Sequence, residues 1–191
     1  MKMRKLFALG ALIATLVVAI PVHLSIAEAK GLVFNFGTDT SDSAMEREVL
    51  WLARAVNSET KNRKAGEMAM IACVIRNRVE SNFRGATTYE EVVRAKNQFS
   101  GLNFGDRNYL RNISLDFEDT DPNWRNALRV AEVIYQTGDL ICPVYFPETV
   151  RHFYSPVSMN FTPTWAKGEK PVQVIGEELA TARFVFYDGI K

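Results

Sequence analysis

Hydrophobic and polar positions divide the chain into a helical first part and a loop-rich second part. Between Ala44 and Asn57, Val49, Leu50, Leu52, Ala53 and Val56 recur at helical spacing behind the capping-box pattern Ser43-Ala44-Met45-Glu46. After a polar connector, a second helix is predicted over 65–82. It carries an unbroken apolar run from Met68 to Ile75, so it is expected to be buried on nearly every side. Thr88-Tyr89-Glu90-Glu91 repeats the capping-box pattern and opens a short helix through Arg94. Residues 96–115 are polar and irregular, with Gly101 and Gly105, and suit a binding loop better than core. Asp121-Pro122 starts another helix, with Trp124, Leu128, Ala131 and Ile134 or Tyr135 on its inner face and Gly138 as its natural stop. Val150 to Tyr154 and Arg183 to Tyr187 read as short strands, while five prolines from Pro143 to Pro171 keep the rest in loops. The expected class is α+β: mainly helical, with a buried central helix and a few short strands.

The first residues follow a different logic. Lys2, Arg4 and Lys5 precede an apolar run from Leu6 to Ile20, Pro21 breaks it, and Ala27-Glu28-Ala29 offers an A-x-A cleavage site. The run is short against the about 20 residues of a membrane span. Residues 1–29 therefore read as a secretory signal, with an uncleaved anchor as the alternative. A loose lead follows at 30–43, and a single domain over 44–191. The expected destination is the periplasm, the cell envelope or the extracellular space, with no membrane association after cleavage.

Charge and composition narrow the chemistry. The whole chain has a formal charge of +1, and loss of the leader makes it close to neutral, so nothing argues for nucleic acid. His152 is the one histidine beyond the leader. Zinc hydrolases usually use two or more imidazole ligands, which disfavours a metal-dependent amidase or peptidase and leaves no cofactor expected. Two cysteines remain, Cys73 and Cys142. Export allows them to oxidise, whereas Cys73 inside an apolar helix also packs well as a free thiol. No apolar stripe is left over, which favours a monomer.

One carboxylate stands out. Glu59 falls just past the end of the first helix and beside the buried second one. Burial disfavours the charged form of a carboxyl group, so Glu59 is expected to hold a proton near neutral pH and act as an acid.

The segment LARAVNSETKNRKAGEMAMIACVIRNRVES resembles the opening of the SleB-type cell wall hydrolases, related to spore-cortex-lytic enzymes. Their opening has the form L-A-x-x-x-x-x-E-A-x-G-E, then a glycine, then an apolar helix ending in N-R-V. Asn77-Arg78-Val79 matches that ending. Gln98-Phe99-Ser100 matches the family's Q-F-S, His152-Phe153-Tyr154-Ser155-Pro156 its H-F-x-x-P, and Trp165-Ala166 with Gly168 its W-A-x-G. Phe184 to Tyr187 matches its closing aromatic strand, so the resemblance spans about Val49 to Tyr187. The chain departs from the pattern in the connector, where Asn62 and Arg63 replace the family's Gly and second Glu. Against that pattern Glu67 is either the second carboxylate displaced or a first-turn residue favourable to the helix dipole.

The resemblance implies a lysozyme-like fold and cleavage of peptidoglycan glycan strands by lytic transglycosylation, with Glu59 as the acid and base. It also singles out Gln98, Phe99, Ser100, His152, Tyr154 and Trp165 as substrate-binding. Each has a plainer reading. Gln98 and Ser100 are otherwise loop residues, and His152 and Tyr154 are otherwise packed in a strand. Trp165 is either a saccharide platform or a lid over the core. Asn77 and Arg78 are expected to tie down neighbouring loops, and Asp106 and Asp116 to be exposed loop carboxylates. Three alternatives accompany the leading reading: a hydrolytic muramidase on the same site, a non-catalytic peptidoglycan-binding protein, and a thiol peptidase pairing Cys142 with His152.

Overall fold

The computed structural model describes residues 40–60, 64–174 and 183–190. The expected leader, most of the loose lead, and Asn62 and Arg63 of the connector lie outside them. Among the described residues the protein is mainly helical with one small sheet. The helices are α1 (Thr40–Glu59), α2 (Ala65–Glu80), α3 (Tyr89–Arg94), α4 (Tyr109–Ser114) and α5 (Pro122–Tyr145). The strands are β1 (His152–Tyr154) and β2 (Val185–Tyr187). No described helix is long and apolar enough to cross a membrane.

α2 is the centre. Every residue from Met68 to Ile75 is fully buried, enclosed by α1, α3 and α5. Its apolar sequence on all faces is the reason it sits there, because only a helix covered all round can bury such a run. Cys73 of α2 is bonded to Cys142 of α5, with Cα atoms 5.4 Å apart. Of the two states open to these cysteines, the protein takes the disulfide, and no free thiol remains at Cys142 to act as a nucleophile. The pairing of Cys142 with His152 as a thiol peptidase is thereby overturned.

Both polar ends of α2 hold the sheet in place. Near its start, Glu67 is buried and its Oε1 accepts from the Arg183 backbone N–H at 2.7 Å, just ahead of β2. Near its end, Asn77 Nδ2 donates to the Val150 carbonyl (2.9 Å) and Arg78 Nε to the Arg151 carbonyl (2.7 Å), just ahead of β1. Eleven helical residues rise about 16 Å, and about five extended residues cover the same length. The helix is thus a ruler for an antiparallel pair whose strands enter from opposite ends. The register is His152 with Tyr187, Phe153 with Phe186 and Tyr154 with Val185.

Several boundaries differ from expectation. α1 takes in the polar turn Thr40-Ser41-Asp42 ahead of the expected cap at Ser43, since residues that cap a helix also sit readily in its first turn. It also reaches Glu59, which is its last residue and not a residue beyond it. Thr60 closes the helix, its N–H and Oγ1 both donating to the Val56 carbonyl. α2 stops at Glu80, followed by Asn82 in the left-handed region at φ +49°. Thr88 and Asp121 cap α3 and α5 as expected, each accepting from backbone N–H groups of the first turn.

Gly138 does not end α5. The helix only bends at Thr137 (φ −128°, ψ 15°) and continues to Tyr145. Arg76 crosses α5 at Gly138, where a Cβ would come within 2.4 Å of Arg76 Cδ. Arg76 is ion-paired there with Asp139 and with Glu80.

Candidate active site

A cleft of about 790 Å3 runs between the ends of α1 and α2 on one side and the sheet with its following turn on the other. It brings together Glu59, Gln98, Ser100, His152, Tyr154 and Trp165, which are far apart in sequence. Glu59 is the only carboxylate among the described residues that line it. No cluster of His, Cys, Asp and Glu among the described residues can hold a metal ion.

Glu59 is half-buried at the C-terminal end of α1. Two fields act on it. The negative end of the α1 dipole lies beside it, and the positive charge of Arg78 attracts it. The loop that faces it is drawn in by Gly101. A Cβ there would meet Asn112 Nδ2 at 2.9 Å and Ser58 Cβ at 3.2 Å, so the absence of a side chain lets residues 100–102 lie close against the end of α1. Asn112 Nδ2 fixes that turn by donating to the Gly101 carbonyl at 2.8 Å. Asn97, in the left-handed region at φ +62°, turns the chain so that Gln98 and Ser100 both line the cleft.

Phe99 lies elsewhere. It is fully buried and does not line the cleft, with its ring 6.3 Å from that of Phe153. The expected apolar face for a sugar is instead a support under the floor. Glu67 also stays out of the cleft, bound to the backbone ahead of β2. Asp106 and Asp116 are likewise outside it, each accepting from a backbone N–H two residues on.

The opposite wall is aromatic. The His152 ring packs 5.2 Å from that of Trp165 and edge-on to Phe83 at 5.3 Å. Tyr154 stacks on Tyr187 at 6.0 Å, and Trp165 stands perpendicular to Tyr187 at 5.4 Å. Burial pushes the Tyr187 hydroxyl up, reinforced by a hydrogen bond with Tyr154. His152 is 8% exposed, and its imidazole is pushed down to about 4. Burial is the main cause, followed by the guanidinium groups of Arg78, Arg84 and Arg151. At neutral pH it is an uncharged hydrogen-bonding ring.

Sequence reasoning missed Arg84 and undervalued Arg78. Arg78 does tie down the approach to β1, and it also lines the cleft, beside Arg84. Its guanidinium lies 5.6, 5.7 and 5.9 Å from the rings of Phe83, Phe99 and Phe153. A signal for Arg84 was present in the turn-forming run Ser81-Asn82-Phe83-Arg84-Gly85, which follows the helix directly.

No protein-family model matches the chain, and no curated protein or solved structure gives a significant match.

Proposed function

We propose that this protein cleaves the glycan strand of peptidoglycan, with Glu59 as acid and then base, in a lysozyme-like domain. The observation that carries the reading is a single carboxylate facing an aromatic, hydrogen-bonding wall across a cleft large enough for several sugar units. Saccharide sites take this form: flat rings for the sugar faces, neutral donors and acceptors for the hydroxyls, and a proton donor at the bond to be broken. The four sequence pieces that resemble those of cell wall hydrolases each contribute residues to the same cleft. The disulfide fits an oxidising location outside the cytoplasm, where peptidoglycan lies.

The reaction needs no other carboxylate. Glu59 gives its proton to the glycosidic oxygen as the bond to C1 of the muramyl residue breaks, and positive charge develops at C1. The resulting carboxylate takes the proton of the muramyl C6 hydroxyl as O6 closes onto C1. A 1,6-anhydro ring forms, and Glu59 is again protonated. Schemes with a carboxylate nucleophile require a second acid a few ångströms away, and none lines this cleft among the described residues.

Mass spectrometry of soluble products from purified peptidoglycan tests this. Anhydro-muropeptides with the intact protein, and none with Glu59→Gln, are expected. Products heavier by one water would replace transglycosylation with hydrolysis on the same site. Binding without any product would leave a glycan-binding protein.

A further inference from the structure

A second cavity of about 240 Å3 opens beside the cleft. Arg78, Arg84 and Gln98 line both, so these residues form the doorway between them. Beyond the doorway the cavity is mostly apolar, lined by Phe83, Ala86, Val92 and Ala95.

The doorway concentrates positive charge. The guanidinium groups of Arg84, Arg78 and Arg151 lie 5.0, 5.6 and 5.8 Å from the one ring of Phe83. Arg78 is 4% exposed, and its Nη1 has no hydrogen-bond partner. Burial, then the charge of Arg84, pushes it down to about 10, so Arg78 stays charged at neutral pH and is repelled by its neighbour. Arg84 is held in place at a cost. Its φ is +57°, between Asn82 at +49° and Gly85 at +83°. A non-glycine residue in that region is strained, and such strain concentrates at functional positions. The carboxylate lining the side cavity, Glu91, is committed locally, its Oε2 accepting from the Thr87 N–H and hydroxyl.

Clustered guanidinium groups beside an apolar chamber suit a short branch that ends in, or carries, a carboxylate. We propose that the side cavity receives a carboxylate-bearing branch of the glycan, with Arg84 and Arg78 gripping the acid. In peptidoglycan that acid is either the free lactyl carboxylate of a muramyl residue or a carboxylate of the stem peptide attached to it. The inference rests on the glycan reading of the cleft and adds a requirement to it: the strand must carry negative charge close to the bond that is cut.

Titration calorimetry of the full chain carrying Glu59→Gln separates binding from cleavage. The probes are soluble strands of matched length, either peptide-free or with stem peptides, each compared with the same strand after carbodiimide amidation of its carboxyl groups. At least one charged strand is expected to bind about tenfold more tightly than its amidated form. Arg84→Ala should bring that ratio close to one, and Arg84→Lys should keep part of it. Arg84 is exposed, so these variants spare the core. Preference for the peptide-free strand assigns the acid to the lactyl group, and preference confined to the peptide-bearing strand assigns it to the stem. Equal binding of charged and amidated strands, or a ratio that survives Arg84→Ala, overturns the side site alone. Folded protein that binds no strand at all takes down the glycan reading with it.

Discussion

One wall of the cleft is built from helix ends and loops, the other from a two-stranded sheet and the turn at 164–166. The first carries formal charge: Glu59 at the end of α1, Arg78 near the end of α2, and Arg84 in the turn beyond. Among the described residues that line the cleft, the second carries none at neutral pH, because His152 is held uncharged and its neighbours are Tyr154 and Trp165. Helix ends are where unpaired backbone dipoles and turn residues place charge at a rim. A strand pair with aromatic side chains gives flat, neutral faces at fixed spacing. A division of labour would follow under the proposed reading: the charged wall would do the chemistry and recognise acids, and the neutral wall would hold sugar rings. α2 joins the two, since its own side chains anchor the approaches to both strands.

The largest expected effect breaks the charged wall at one atom. Glu59→Gln keeps shape and hydrogen bonding but cannot give up a proton. General acid catalysis typically contributes about 10²–10⁴-fold, so turnover on soluble glycan strands should fall within or beyond that range while binding changes little. Retention of a tenth of the activity would move the acid elsewhere.

Next comes the link between the walls. Replacing Cys73 and Cys142 together with alanine removes a cross-link spanning 69 residues between α2 and α5. Loss of a native disulfide of this loop size costs about 2–4 kcal/mol. Denaturant unfolding should show that loss, and reducing agent should produce it in the intact protein. An unchanged midpoint would mean that helix packing alone holds α2 in place.

How legible the two walls were in the sequence differs for the same physical reasons. α2 was legible because eight apolar residues in a row admit few other placements. The caps at Thr88 and Asp121, and the strand pair, follow from local side-chain chemistry. Glu59 stood out by its place at the end of the first helix, the other six candidates through motif resemblance and not through periodicity, and six of the seven line the cleft. The exceptions arise where tertiary contacts decide. Gly138 reads as a helix stop, but it lies inside a bent helix where the Arg76 side chain fills the space a Cβ would take. Phe99 reads as a sugar-facing ring because it lies between two polar residues, yet the left-handed turn at Asn97 sends it inward. The guanidinium cluster is spread over Arg78, Arg84 and Arg151, and only folding places all three around Phe83.

The neutrality of the second wall can be tested by pH. The folded protein holds His152 uncharged down to about pH 4, whereas an unfolded chain protonates histidine near 6.5. Between these values the unfolded state binds the extra proton. Stability from this group is therefore complete above pH 6.5 and is lost as pH falls toward 4. The full shift corresponds to at most about 3 kcal/mol. His152→Asn should flatten the acid side of the stability profile, and the imidazole resonance should not titrate between pH 5.5 and 8. A midpoint near 6.5 in that titration would put a switchable charge on the wall and end the contrast.

The smallest expected effect concerns the outermost ring. Trp165 is half-buried against His152, Tyr154 and Tyr187, and it lines the cleft beside them. As a platform it meets the sugar face equally in ground and transition states, so its loss should raise KM and leave kcat nearly unchanged. A stacking contact of about 0.5–1.5 kcal/mol corresponds to roughly a two- to tenfold rise for Trp165→Ala, with Trp165→Phe recovering most of it. As a lid over the core it would behave in the opposite way, with the melting temperature falling and KM holding. The two readouts separate the roles in one variant, and a lid result would shrink the neutral wall to His152 and Tyr154.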